Sequence, residues 1–260
     1  MTDQRLSTGI IGLDSLLQGG FIKGRTYLLT GEAGTGKTIA CLQLLQRALA
    51  GGEIAVYVTV DERPSEITDS ALSFSWNLQQ HIQEKNLAIL DASPYFTGRS
   101  GSASEKGIDP QKIVADLSNY VKRLGATLLI IDPVTPFILP NDAGNAAQDQ
   151  ARSLINLIQT QLNTTNLLTA HSSSGQTLGI GEFLASGAFV LKVKPAGGKF
   201  ERCLTIRKMR GTPVVPGDYP FEISSNAGIV MLNGAVDPIT TPAIQQPAPP
   251  MFEFFELPEQ

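Results

Sequence analysis

The residues best suited to chemistry are eight consecutive ones, Gly31-Glu32-Ala33-Gly34-Thr35-Gly36-Lys37-Thr38. They satisfy the pattern G-x-x-x-x-G-K-[ST] at every fixed position. Gly31, Gly34 and Gly36 allow positive φ and close backbone approach. The N–H groups of the turn, from Gly31 through Thr35 to Ile39, can then converge on phosphate oxygens at the positive end of the helix that follows. Lys37 reaches the β- and γ-phosphates, and Thr38 offers its hydroxyl to Mg²⁺. The flanks agree with this reading and not with a chance glycine turn. Residues 26–30 are apolar and strand-like, and 39–50 contain neither Gly nor Pro.

Binding alone is not hydrolysis, which also needs a metal-holding acid and a carboxylate that activates water. Asp132 closes an apolar run at 127–131, the Walker B arrangement of an acid at the carboxyl edge of the strand beside the loop. An Asp there can also simply cap the next segment. Asp61 and Glu62 follow the strand-like run 55–60, and ligands of open parallel sheets gather at the carboxyl ends of strands. If that strand neighbours the loop strand, one or both acids face the γ-phosphate and can take a proton from water. His171 ends another run, either to sense the γ-phosphate or to be satisfied by local backbone. His81 falls on a polar helix face, in solvent. Lys208 and Arg210 alternate on a strand and share one face. They are either a solvated strand end or cations offered to a phosphate in a neighbouring subunit.

The elements that must position these groups read as α/β. Strands at 26–30, 55–60, 87–91, 127–132 and 166–171 alternate with helices at 39–50, 64–73, 77–84, 110–124 and 147–163. This is the pattern of a mostly parallel sheet with helices on both faces. After residue 181 the strands come without long helices, as a β-rich antiparallel addition. We expect an irregular lead-in at 1–24, an ATPase domain at 25–233, and a proline-rich linker with an acidic-aromatic tail at 234–260. Long loops at 93–107 and 172–179 have the length of functional segments.

Composition narrows the class. The chain has 260 residues, 42% of them apolar, with a net charge of −4. The acidic balance argues against broad nucleic-acid binding. Cys41 and Cys203 make no disulfide framework or zinc spacing, and Cys41 is expected to pack inside its helix. No apolar run approaches the length of a membrane span, and the first seven residues lack an apolar signal region. Cytoplasmic location is the expectation.

At this point the sequence resembles the KaiC family of RecA-like ATPases. The resemblance rests on Thr8-Gly9-Ile10-Ile11-Gly12-Leu13-Asp14, the phosphate loop, Val58-Thr59-Val60-Asp61-Glu62-Arg63-Pro64 and Ser73-Phe74-Ser75-Trp76. Ile131-Asp132, Lys208-Met209-Arg210-Gly211-Thr212 and Gly217-Asp218-Tyr219-Pro220-Phe221 extend it. The resemblance implies a RecA-like P-loop core and a homohexameric ring with Mg²⁺ and ATP between subunits. Glu62 and Asp61 become the water-activating pair. The family has two glutamates here and Asp61 is one methylene shorter, which gives the main role to Glu62. Ser73 falls where the family contacts nucleotide. Lys208, Met209, Arg210 and Thr212 fall where the adjacent subunit touches base and γ-phosphate. The family's clock protein has two such domains, and this chain has length for one. Its phosphorylated Ser-Thr pair is replaced here by Glu182-Phe183-Leu184-Ala185, which implies no autokinase cycle.

The expected function is hydrolysis of Mg-ATP at subunit interfaces, coupled to a partner-binding or signalling switch. A protein partner can dock through Phe252, Phe254, Phe255 and Leu257 of the tail. The alternative is a RecA- or RadA-like DNA-dependent ATPase of recombination or repair. Its DNA-binding loops would rely on Arg99 and Lys106, with Tyr95 and Phe96 for stacking, a thin set for tracking a nucleic-acid backbone.

Overall fold

Strands made of unbroken apolar and β-branched residues have no polar face to give to water, so they are covered on both sides. The computed structural model describes residues 4–94, 110–138, 145–172 and 184–232. The loop residues 95–107, nearly all of the loop at 172–179, Glu182, Phe183 and the tail from 233 onward lie outside the described residues.

The chain opens with β1 (Arg5–Leu6), α1 (Leu13–Leu16) and β2 (Phe21–Ile22). Then β3 (Thr26–Gly31) leads into α2 (Lys37–Ala50), and β4 (Ala55–Thr59) into α3 (Pro64–Leu72) and α4 (Leu78–Gln83). Next come β5 (Leu87–Asp91), α5 (Pro110–Leu124), β6 (Leu128–Asp132), α6 (Thr135–Ile138), α7 (Asn145–Gln161) and β7 (Thr165–His171). Four strands close the described chain: β8 (Gly187–Ala196), β9 (Lys199–Met209), β10 (Gly217–Ser224) and β11 (Gly228–Met231).

Among the described residues, nine strands form one sheet in the order β11-β10-β9-β8-β3-β7-β6-β4-β5. The pairs from β5 through β8 are parallel. Antiparallel pairing starts at β9 and continues to β11. Alternate strand residues face opposite layers. Tyr27, Tyr57, Ile130 and Leu167 join a core with α2, α3 and α4, while Leu28, Val58, Ile131 and Leu168 join a second core with α5, α6 and α7. Asp132 continues the parity of Ile130, and Thr169 and His171 that of Leu167. The polar ends of β6 and β7 therefore turn towards the layer of α2.

The lead-in is more ordered than an irregular segment. β1 and β2 pair antiparallel. Asp14 ties the turn between them, accepting from the Ser7 hydroxyl at 2.6 Å, the Thr8 N–H at 2.8 Å and the Thr8 hydroxyl at 2.6 Å. Ile10, Leu13 and Leu17 enter the first core. Gln43, buried on α2, accepts from the Ile229 N–H at 2.8 Å and donates to the Gly9 carbonyl at 2.9 Å, so one amide links lead-in, helix and last strand. His81 is not in free solvent: its side chain is only 17% exposed, with Nδ1 3.8 Å from Glu84. Cys41 and Cys203 are both buried free thiols, Cys41 inside α2 as expected.

One irregularity redirects side chains. Phe189 pairs with Ile206 and Ala188 with Lys208, leaving Arg207 as an extra residue in β9. Leu204 and Ile206 face the core, and simple alternation would send Lys208 inward after them. The bulge inverts the parity. Met209 is buried instead, Lys208 is half-buried on the other face and Arg210 is exposed.

Candidate active site

The phosphate loop is built by local geometry. β3 ends at Gly31 and α2 begins at Lys37, with Gly36 at φ 108° as its N-cap and Gly34 at φ 76°. Both angles are in the range that favours glycine. Gly31 is different, because its φ is ordinary. A Cβ there would lie 2.7 Å from the Leu191 carbonyl oxygen and 2.7 Å from Thr35 Oγ1, so close approach is its reason. Thr35 is buried and donates its hydroxyl to the Glu32 carbonyl at 2.8 Å, bracing the turn from inside.

A cleft of about 340 Å³ opens above this loop, within the usual range for a small-molecule site. Gly34, Gly36, Lys37, Thr38 and Ile39 line one side of it. Asp61, Glu62, Asp132 and His171 line the other. Level strand ends explain the convergence, since Gly31 pairs with His171 and Thr59 with Asp132. The strands that carry the acids are not neighbours of the loop strand. β7 separates β6 from β3, and both β7 and β6 separate β4 from it. Asp132 is therefore not on the adjacent strand. The acids of β4 reach the cleft because they sit in the turn beyond the strand, where Thr59 donates its hydroxyl to the Glu62 carbonyl at 2.7 Å.

Asp132 is 7% exposed. Its Oδ2 accepts from the Tyr57 hydroxyl at 2.8 Å and its Oδ1 from the Thr169 hydroxyl. Neither donor stood out in the sequence, where each is flanked by apolar residues. A hydroxyl residue at core parity near the carboxyl end of a strand was the available signal. His171 Nε2 stands 3.6 Å from Asp61 Oδ2, and the His171 backbone N–H donates to Thr135 at 3.0 Å.

Charge in the cleft is balanced by burial. Lys37 donates to the carbonyls of Gly31 and Glu32 at 2.9 and 2.8 Å. Burial holds its ammonium below the usual range, with Asp132 pulling the other way. Glu62 is shifted up, first by burial and then by the negative charges of Asp132, Glu66 and Asp61. A carboxylate raised in this way is a better proton acceptor near neutral pH.

Of the residues expected at the nucleotide, Gly31 and Thr35 lie just beneath the cleft, in the loop that forms its floor, and five from outside the loop do not line it at all. Ser73 is exposed at the end of α3, donating to the Ser70 carbonyl at 2.7 Å. Met209 packs in the core, and Thr212 is buried with its hydroxyl accepting from Arg5 at 2.9 Å. Lys208 and Arg210 pair with the opposite end of the sheet. Met209 is opposite Gly187, Gly187 is opposite Tyr27, and the Arg210 N–H donates to the Ser186 carbonyl at 2.7 Å. Counted from Tyr27 to Gly31, that edge is about 13 Å from the start of the phosphate loop along β3, at ~3.3 Å per residue.

The residues suit a magnesium-bound triphosphate. The positive-φ glycines leave a cradle without side chains, and nothing lies within 4 Å of where a Gly34 Cβ would stand. Among the described residues no group of three or more His, Cys, Asp or Glu is placed to hold a metal. A metal here would need phosphate and water oxygens beside Thr38 and Asp132, which is how Mg²⁺ binds at such sites.

The family described as "ATPase: KaiC" matches residues 6–235. The chain is 31% identical over 234 residues to the circadian clock oscillator protein KaiC of Thermostichus vulcanus, covering 88% of this chain and 44% of that protein. It thus spans less than half the length of the clock relatives it matches. It is 34% identical over 233 residues to a UPF0273 protein of Methanopyrus kandleri, covering 86% of this chain and 90% of that one. The crystal structure of a KaiC-like protein from Pyrococcus horikoshii superposes with a TM-score of 0.75 at 32% identity, covering 88% of this chain and 99% of that one. Its RecA-type core is the fold described above. A match across most of the sequence and a shared fold agree, and the chain belongs to the KaiC ATPase family.

Proposed function

We propose that this protein binds ATP with Mg²⁺ and hydrolyses it in a cleft completed by a neighbouring copy, within a homohexameric ring. The observation that carries this reading is the meeting of Lys37, Thr38, Glu62 and Asp132 around one cleft. Gly34, Gly36 and the start of α2 cradle the phosphates. Lys37 leaves its loop carbonyls for β- and γ-oxygens. Thr38 and Asp132 hold the metal, which when bound neutralises developing negative charge. Glu62 orients a water and takes its proton, with Asp61 and His171 beside it. Lys208 and Arg210 are too far from their own loop to serve it, so they act on the next protomer's phosphate in the manner of an arginine finger.

The ring turns nucleotide state into partner binding in the cytoplasm, without self-phosphorylation. No helix among the described residues is long and apolar enough to cross a membrane. The tail at 252–257 offers aromatics between acids to a protein partner.

Complementation tests the shared cleft. Arg210→Ala and Lys37→Ala should each be inactive alone. In a one-to-one mixed ring, about a quarter of interfaces combine an intact loop with an intact cation, so about a quarter of the activity should return. Variants that co-assemble and recover nothing at any ratio would refute the shared site. So would a chain that stays monomeric with saturating Mg-ATP.

A further inference from the structure

Asp132 has an acceptor on each carboxylate oxygen engaged by a different strand. Tyr57 comes from β4 and Thr169 from β7, the two strands that flank β6. All three side chains share the parity that faces α2, and Tyr57 is 0% exposed, Thr169 0% and Asp132 7%. The hydroxyl nearest in register is Thr59, which pairs directly with Asp132. It is used elsewhere, on the Glu62 carbonyl at 2.7 Å. Tyr57, two residues earlier on the same strand, reaches forward to the acid instead. One strand thus braces two of the cleft's acidic residues, Thr59 through the backbone of the Glu62 turn and Tyr57 through the Asp132 carboxylate.

We infer that Tyr57 and Thr169 are positioning residues that hold the Asp132 carboxylate in the one orientation suited to a divalent cation arriving with a triphosphate. The inference rests on the ATPase reading above and deepens it. A carboxylate has about four acceptor sites. Two hydroxyl donors engage one on each oxygen, fix the plane of the group and leave the others for ligands of the cleft. The simpler alternative is that a buried acid merely needs donors to be tolerated. The two differ in what they predict for metal. Removing a partner behind a metal ligand costs about 10- to 100-fold in metal affinity, whereas loss of a purely structural bond lowers only stability.

The test uses the full chain and ATP, titrated calorimetrically with Mg²⁺ and again with EDTA. The readout is the ratio of the two affinities. Tyr57→Phe and Thr169→Val should each lower that ratio about 10-fold or more, leave metal-free affinity within about twofold, and raise the Mg²⁺ concentration for half-maximal hydrolysis by the same factor. Thr169→Ser, which keeps the hydroxyl, should restore the ratio. Asp132→Asn is the reference. If it loses the metal dependence while folded Tyr57→Phe and Thr169→Val keep it, the positioning role is overturned and the ATPase reading stands. If Asp132→Asn itself keeps the metal dependence, the metal assignment beneath the inference fails. Should one hydroxyl variant not fold, the other carries the test alone.

Discussion

Glu62→Gln replaces the proposed base with an isosteric amide that cannot accept a proton from water. A positioned general base contributes about 10²- to 10⁴-fold, equivalent to about 2.7–5.4 kcal/mol of barrier. The surroundings also set the pH response. Burial and the charges of Asp132, Glu66 and Asp61 raise Glu62 above the ordinary carboxylate range. The base form is therefore lost as pH falls through a value higher than that of a free glutamate. Wild-type phosphate release, followed from about pH 5 to 9, should show an acid limb displaced upward. Glu62→Gln should lose about 10²-fold or more in turnover and lose that limb, while ATP binding measured in parallel is retained. Glu66→Gln removes one of the charges that raise Glu62, so its limb should move to lower pH. Asp61→Asn should keep about a tenth of the turnover or more, because the proton goes to Glu62. Turnover of Glu62→Gln within about threefold of wild type, or an unchanged acid limb, would refute the assignment.

Two further outcomes follow from geometry. In the phosphate loop Gly36 has φ 108° and a Cβ would stand 3.2 Å from Ile223 Cδ1, whereas Gly34 has φ 76° with open space around it. Gly36→Ala should cost about 1–3 kcal/mol of strain and weaken ATP binding more than Gly34→Ala, read by melting and by titration; the reverse order would count against the loop geometry. Asp218 is pushed up by burial, but bonds from Lys194 and Thr205 and the charges of Lys192 and Lys194 outweigh this and hold it at about 2, against 3.8. A depressed carboxylate stabilises the fold above its unfolded value and loses that contribution as pH falls between about 4 and 2. The shift corresponds to about 2 kcal/mol, or about 1 after solvent screening of the half-exposed Lys194. Asp218→Asn should flatten the pH dependence of the urea midpoint over that window, and an unchanged slope would remove Asp218 from the account.

Several features were legible in the chain because they depend on neighbours in sequence. β5 runs over Leu87–Asp91, the span of its apolar run, and α5 starts at Pro110, where proline suits a first turn. Asp132 could be picked out because it closes a strand, and Glu62 because it follows one within a few residues. Other features needed the fold. Strand order was not readable, and it places β7 and β6 between the loop strand and the acids of β4. The inward packing of Met209 and the outward placing of Lys208 and Arg210 depend on the Arg207 bulge, which no alternation in the sequence announces.

By itself, then, the amino-acid order determined which groups could cradle a phosphate and which acids end strands, because a glycine turn, a helix start and a strand end are set by adjacent residues. The tertiary structure alone decided that Lys37, Glu62 and Asp132 share a cleft and that Lys208 and Arg210 stand at the far edge of the sheet. It also decided that the buried hydroxyls of Tyr57 and Thr169 meet Asp132. Those contacts join residues from 37 to 75 positions apart, and only the register of parallel strands brings such partners together.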